Sequence, residues 1–202
     1  SIGNLKFIEH DSFETNQADK KLFSQFRKYK TFVAASTHNT EELFAAKTHI
    51  LLKKKIKNII TIIIPRHINR VDQIISQLNE LGLNAISRRS NKKKLDNIDI
   101  YLVDTFGESK KFYKFATTVF LGGSIIKRGG QNPLEPARYG AKILHGPNID
   151  NFRDVYKYLN QLKISSSINS PQQCANSIIF KKNMKKAKKM KYLSKTILKK
   201  TL

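Results

Sequence analysis

Along this chain the apolar positions switch repeatedly between a period of two, or an unbroken short run, and a period near 3.6. "KTFVAAS" (30–36) and "KNIITIII" (57–64) are nearly continuous apolar runs of strand length, the pattern of strands covered on both faces. Between them "NTEELFAAKTHILLKK" (39–54) reads as a helix, with Asn39 or Thr40 as its cap and Glu41 and Glu42 in the favoured first turn. "NRVDQIISQLNELG" (69–82) is a second amphipathic helix, ended by Gly82. Beyond it the pattern predicts strands over 83–88 and 97–104, a helix over 107–116 and a strand over 117–123. A helix over 132–140, a strand over 142–146 and a helix over 152–162 follow. Strands alternating with helices predict an α/β fold: a Rossmann-like parallel sheet flanked by helices.

Ligands of such sheets bind at the carboxyl ends of the strands, where loops meet helix N-termini. Four loops qualify: "ASTHN" (35–39), "PRH" (65–67), "DTFGE" (104–108) and "GGSIIKRGGQNPLE" (122–135). A parallel sheet places all four on one edge.

Composition narrows the class. With 202 residues, 40% of them hydrophobic, the chain can hold one domain with a full core. The single cysteine, Cys174, excludes a disulfide framework and any cysteine-rich metal site. No apolar run approaches the roughly 20 residues of a membrane span. The start, "SIGNLKFIEHDSFE", has neither the basic opening nor the apolar run of a signal peptide, and beginning without methionine it reads as a fragment.

A net charge of +23 invites phosphate, but lysine is spread through the whole chain as a general bias. The tail is different: after Asp154 there is no acid, and ten lysines fall within 181–200. Phe180, Met184, Ala187, Leu193 and Ile197 recur there at helical spacing, so 171–202 reads as a basic amphipathic helix. Such a helix can pack on the domain, lie on an anionic membrane surface or bind an acidic partner. No RNA-binding motif or aromatic platform accompanies it, and no nucleic-acid partner is expected.

The loop chemistry is specific. Gly122, Gly123, Gly129 and Gly130 permit positive φ and close approach to a ligand. Asn132 and Pro133 suit an N-cap and first helical position, leaving helix N–H groups toward an anion. Glu135, in that first turn, can accept from a ribose diol or simply favour the helix terminus. Arg66, after a buried strand, can bind phosphate, stack on a base or form a surface ion pair. His38, His67 and His145 lack metal-ligand spacing and read as polar loop residues; no metal and no other cofactor is expected. Neither a G-x-G-x-x-G fingerprint nor a Walker lysine is present.

In order and at suitable spacing, "GNLKF" (3–7), "FVAASTHNTEE" (32–42), "PRH" (65–67), "DTFGE" (104–108) and "FLGGSIIKRGGQNPLEPARYGAKILHGPNIDNF" (120–152) resemble the C-terminal half of the Kdo transferases. These GT-B glycosyltransferases move 3-deoxy-D-manno-octulosonic acid (Kdo) from CMP-Kdo onto the lipid A precursor. The resemblance implies that 30–170 is the Rossmann-like donor-binding domain, preceded by an interdomain linker leading into it over 1–29. It implies that Pro65 and Arg66 contact CMP, and that Phe106, Gly107 and Glu108 form a donor loop where the family often has Met-Gly-Glu. Asn132, Pro133, Leu134 and Glu135 match the donor-binding NPLE motif, and Lys6 matches a lysine proposed to stabilise the transition state. Gly122, Gly123, Ser124, Arg128 and Gly130 fall in a loop expected near the donor; Gln131 stands where the family often has His. The family's general base is a glutamate of the N-terminal, acceptor-binding domain and has no counterpart in these residues. The implied location is the cytoplasmic face of the bacterial inner membrane. Other nucleotide-sugar transferases or epimerases with a uridine donor, and a basic non-enzymatic binding module, are the alternatives.

Overall fold

The structure, a computed structural model, describes residues 17–90 and 94–182. Seven strands form one sheet: β1 (Lys30–Thr37), β2 (Ile59–Pro65), β3 (Ala85–Ser87), β4 (Ile100–Leu102), β5 (Thr118–Leu121), β6 (Lys142–His145) and β7 (Ser165–Ser167). Their spatial order is β3-β4-β2-β1-β5-β6-β7, and every neighbouring pair is parallel. The seven described helices are α1 (Gln17–Phe26), α2 (Glu41–Lys53), α3 (Val71–Glu80), α4 (Ser109–Tyr113), α5 (Leu134–Arg138), α6 (Arg153–Gln161) and α7 (Pro171–Ser177).

Strand alternation divides the core into two layers. Phe32, Ala34, Ile63 and Phe120 face one side, where Phe44 and Leu52 of α2, Ile74 and Leu78 of α3 and Cys174 of α7 cover them. Val33, Ala35, Ile62 and Val119 face the other, under Phe26 of α1, Phe112 of α4, Ala137 of α5 and Tyr156 of α6. Being buried on both faces, β1 and β2 need apolar residues at nearly every position, which is why their sequence shows no alternation.

The predicted elements occur at shorter bounds. The 97–104 segment pairs only over Ile100–Leu102, and the helices predicted over 107–116 and 132–140 contract to five residues each. Thr40 at the start of α2 has φ 77° and makes no side-chain cap. Asn39 Oδ1 instead accepts from the Thr40 N–H and from Arg70. Two elements, α1 and β7, fall where the sequence pattern named none, and the helix expected from 171 onward is α7, over Pro171–Ser177. α1 lies within the stretch read as linker, and its Phe26 is 2% exposed in a cluster with Tyr101, Phe112 and Phe115. β7 is built from three serines. α7 ends at Ser177, so residues 178–182 are not the helix expected there, although Phe180 does pack on the core. The remaining tail positions, Met184 to Ile197, lie outside the described residues, as does Lys6.

From β1 the chain moves outward to β2 and on to the edge strand β3, returns to insert β4 between them, then crosses back to place β5 on the other side of β1. The resulting switch point lies at the carboxyl ends of β1 and β5, the place where sheets of this kind bind their ligands. The loops after β1, β2, β4, β5 and β6 all reach this edge, as parallel pairing requires.

Candidate functional site

At the switch point the glycine loop after β5 is clasped by a side chain from the first turn of α2. The fully buried Glu41 carboxylate accepts from three consecutive loop amides: Gly123 at 2.7 Å through Oε2, then Ser124 at 3.1 Å and Ile125 at 3.0 Å through Oε1. Its Oε2 also accepts from the His38 N–H at 3.0 Å. Consecutive amides in such a nest are a ready anion receptor. Here the anion is internal, so these loop amides are not available to a phosphate.

The clasp explains Gly122. A Cβ there would meet Ser36 O at 2.4 Å and Glu41 Oε2 at 2.7 Å. Ser36 itself has φ 54°, and the β1–β2 register shifts between Ala35 and Thr37, which brings this backbone against the loop. Ser124 is fully buried; its Oγ donates to Leu121 O and accepts from Gly146 N–H, while Asn148 holds its carbonyl. Gly130 N–H closes the loop on Gly123 O at 2.8 Å. The sequence-predicted Gly122, Gly123, Ser124 and Gly130 therefore form an inward-facing frame, and Arg128 is the member of that group whose side chain is exposed.

Around this frame gather four basic side chains from three loops. A Cβ at Gly123 would have His38 Cδ2, Arg128 Cβ and Gln131 Nε2 as its nearest neighbours, at 3.3–3.6 Å. The His38 ring lies edge-on to that of His67, centroids 5.6 Å apart. Burial foremost, and then the charges of His67, Arg128 and Arg66, hold the His38 imidazole below its ordinary pKa, against the pull of Glu41. Arg66, which continues the β1–β2 pairing through its N–H on Thr37 O, is exposed. Neither Arg66 nor Arg128 forms an ion pair among the described residues. Pro65 is buried as the last residue of β2, so it positions Arg66 through the backbone.

A second cluster occupies the edge beside α4. Glu108 pairs with Arg88 through both carboxylate oxygens, with Lys111 Nζ at 2.8 Å and with the Thr105 hydroxyl. Arg88 and Lys111 also hold Asp19 of α1, at 2.5 and 2.8 Å. Burial would raise the Glu108 pKa, but the hydrogen bonds from Arg88, Lys111 and Thr105 overcome it and leave the carboxyl below its usual range. The Glu108 side chain is thus committed to ion pairs. Phe106 next to it is 78% exposed, and Gly107 has φ 74°. Glu135 lies 3.7 Å from Lys110, joining α5 to α4. Asn132 Oδ1 accepts from Leu134 N–H at 3.0 Å, across Pro133, which precedes α5 in helical φ/ψ. Leu134 packs against the core.

The structure therefore brings Arg66, Gly123 and Arg128 together, and groups Glu108 with Glu135 through α4. Glu41, His38 and His67 complete the edge although the sequence reading gave them no ligand role. Their signals were position, His38 and His67 just after two predicted strands and Glu41 in the first turn of a predicted helix, and their place in two of the segments that carry the family resemblance. Among the described residues no cluster of His, Cys, Asp or Glu is suited to a metal, and no helix is long and apolar enough to cross a membrane.

No family model matches the chain. Among curated proteins it is 31% identical to 3-deoxy-D-manno-octulosonic acid transferase of Rickettsia prowazekii, over 95% of this chain and 41% of that protein. It is 29% identical to the enzyme of that name from Haemophilus influenzae, over 83% of this chain and 40% of that protein. Among solved structures, the C-terminal CMP-Kdo binding domain of WaaA from Acinetobacter baumannii superposes with a TM-score of 0.68 at 23% identity. That match covers 78% of this chain and 84% of that one, and establishes the shared fold. The chain spans about two fifths of the length of the curated relatives it matches. Over most of its length this chain is thus similar in sequence to about two fifths of the length of these Kdo transferases, and it shares the parallel α/β fold of the WaaA C-terminal domain.

Proposed function

We propose that this chain is the nucleotide-sugar-binding part of a Kdo transferase, which moves Kdo from CMP-Kdo to a lipid A precursor in lipopolysaccharide synthesis. The observation that carries the reading is the convergence of Arg66, Arg128, His38 and His67 on the switch-point edge. CMP-Kdo presents one phosphate and one sugar carboxylate, and a basic edge whose Arg66 and Arg128 form no ion pair among the described residues suits both. Arg66 binds the CMP phosphate or stacks on the base. Glu135, held at the start of α5, accepts from the ribose diol. Gly107 and Phe106 offer backbone and apolar surface to the donor. Transfer develops oxocarbenium character on the sugar and charge on the departing CMP, which Arg66 and Lys6 stabilise without a metal. The acceptor and its activating base belong to another part of the enzyme, which works at the cytoplasmic face of the inner membrane.

Titration calorimetry of this chain with CMP, beside UMP, tests the reading. Selective CMP binding that Arg66→Ala weakens supports it. Equal or tighter binding of UMP would instead favour a uridine-donor transferase or epimerase.

A further inference from the structure

The Glu41 clasp raises a specific question: if the loop amides are occupied, what receives the anion of the donor? Buried polar atoms normally have a partner. The Nε2 of His38 is buried and has none. That atom belongs to a ring packed over Gly123, between Arg128 and His67, at the centre of the basic cluster. The backbone of His38 is fixed by the same carboxylate that fixes the loop, so the ring is held in register with it.

We propose that His38 is a ligand-binding residue, its Nε2–H donating a hydrogen bond to a phosphate oxygen of the donor nucleotide held between Arg66 and Arg128. This deepens the CMP-Kdo reading and rests on it for the nucleotide, though not for the phosphate. The groups facing the ring are Glu41 from α2, Arg66 and His67 from the loop after β2, and Arg128 from the loop after β5. Of these Glu41 alone is acidic, and its oxygens already accept four N–H groups. An arriving phosphate therefore supplies the missing negative charge. The neutral imidazole donates from Nε2 in one tautomer. A bound phosphate also favours the imidazolium, so binding takes up protons near neutral pH.

The test follows the His38 ring nitrogens by NMR during titration with inorganic phosphate, CMP and cytidine, in the wild-type chain and in Arg66→Ala. Calorimetry of His38→Ala and His38→Gln accompanies it. Phosphate and CMP are expected to shift Nε2 while cytidine does not, and Arg66→Ala to weaken both responses. Loss of one charge-assisted hydrogen bond should lower CMP affinity roughly tenfold in His38→Ala. His38→Gln, which keeps a donor, should recover part of it. A ring that responds to phosphate in a chain that ignores CMP would sustain the anion site and remove the nucleotide reading. A ring unmoved by phosphate and by CMP, or a His38→Ala chain that loses cytidine as much as CMP, overturns the proposal.

Discussion

Glu41 and Gly123, 82 positions apart in sequence, meet at 2.7 Å through a carboxylate oxygen and a backbone N–H. This contact joins the first turn of α2 to the loop after β5, and so binds together the two sides of the switch point.

Removing the carboxylate leaves the buried Gly123 and Ser124 amides, and the half-buried Ile125 and His38 N–H groups, to find other acceptors. Glu41→Ala should cost at least about 3 kcal/mol, since each buried donor left unmade costs about 1–3 kcal/mol. Glu41→Gln keeps one accepting oxygen but turns an amide NH₂ toward N–H donors, so it should lose most of the same stability. Urea unfolding of both variants measures this. A Glu41→Gln midpoint equal to wild type would show that the loop holds its shape without the charge.

Two glycines of the site should respond differently to the same methyl group. At Gly122 an added Cβ would lie 2.4 Å from Ser36 O, a backbone atom that can yield only by shifting β1. At Gly107 it would meet nothing within 4 Å, and only the φ of 74° opposes it. Gly107→Ala should therefore cost about 1–2 kcal/mol of left-handed strain, and Gly122→Ala clearly more, with loss of ligand binding. Thermal melts of the two variants decide the order, and a reversed order would contradict the packing described for the loop.

The parallel sheet was legible because burial on both faces leaves a direct trace: "IITIII" has no polar position to break it. The edge holding the site was legible too, since strand direction alone assigns the loops after β1, β2, β4 and β5 to it. β7 left no such trace. Its three serines sit at the sheet edge, where Ser165 is buried by bonding to Tyr156 O and needs no apolar side chain. α1 was hidden because its apolar Leu22, Phe23 and Phe26 lie in a polar, lysine-rich stretch. Glu41 read correctly as an acid in a first turn, but its role depends on a loop folded against it from far along the chain. Periodicity carries no information about such contacts. Ser124 and Glu108 show the converse: the motif marks the place, while burial and ion pairing decide which atoms face outward.

Glu108 and Arg66 therefore separate stability from binding. Glu108→Gln breaks the ion pairs with Arg88 and Lys111 and leaves those cations sharing Asp19, which is 2% exposed. Removing one partner of a buried pair typically costs about 3–5 kcal/mol, and this cluster, 13–15% exposed at Glu108, Arg88 and Lys111, should lose somewhat less. Arg66→Ala, at an exposed side chain, should barely change stability yet weaken CMP binding. Calorimetry and urea titration on both variants check the contrast. A Glu108→Gln chain that stays stable and loses CMP would mean its carboxylate reaches the donor after all.

Stability should also fall on mild acidification, and the sign follows from three histidines. Burial is the foremost cause holding His38, His49 and His145 below the ordinary imidazole pKa; at His49 the neighbouring Asp99 opposes it only in part. In the unfolded chain these rings protonate near 6.5, whereas in the folded protein they resist until lower pH. Between those values the unfolded state binds more protons, so stability drops as pH falls below about 6.5. A second loss follows lower down, where Asp19, Asp99 and Glu108 titrate below their unfolded values. Glu42 works against both: burial raises its pKa despite Arg70, so the folded state takes up its proton more readily. Three depressed histidines should outweigh that one carboxyl above pH 5. Urea midpoints taken between pH 8 and pH 5 should decline, and more shallowly in His49→Asn, which starts less stable because Thr61 and Asp99 lose their partner. A flat wild-type profile over that interval would mean the buried rings are not held neutral by the fold.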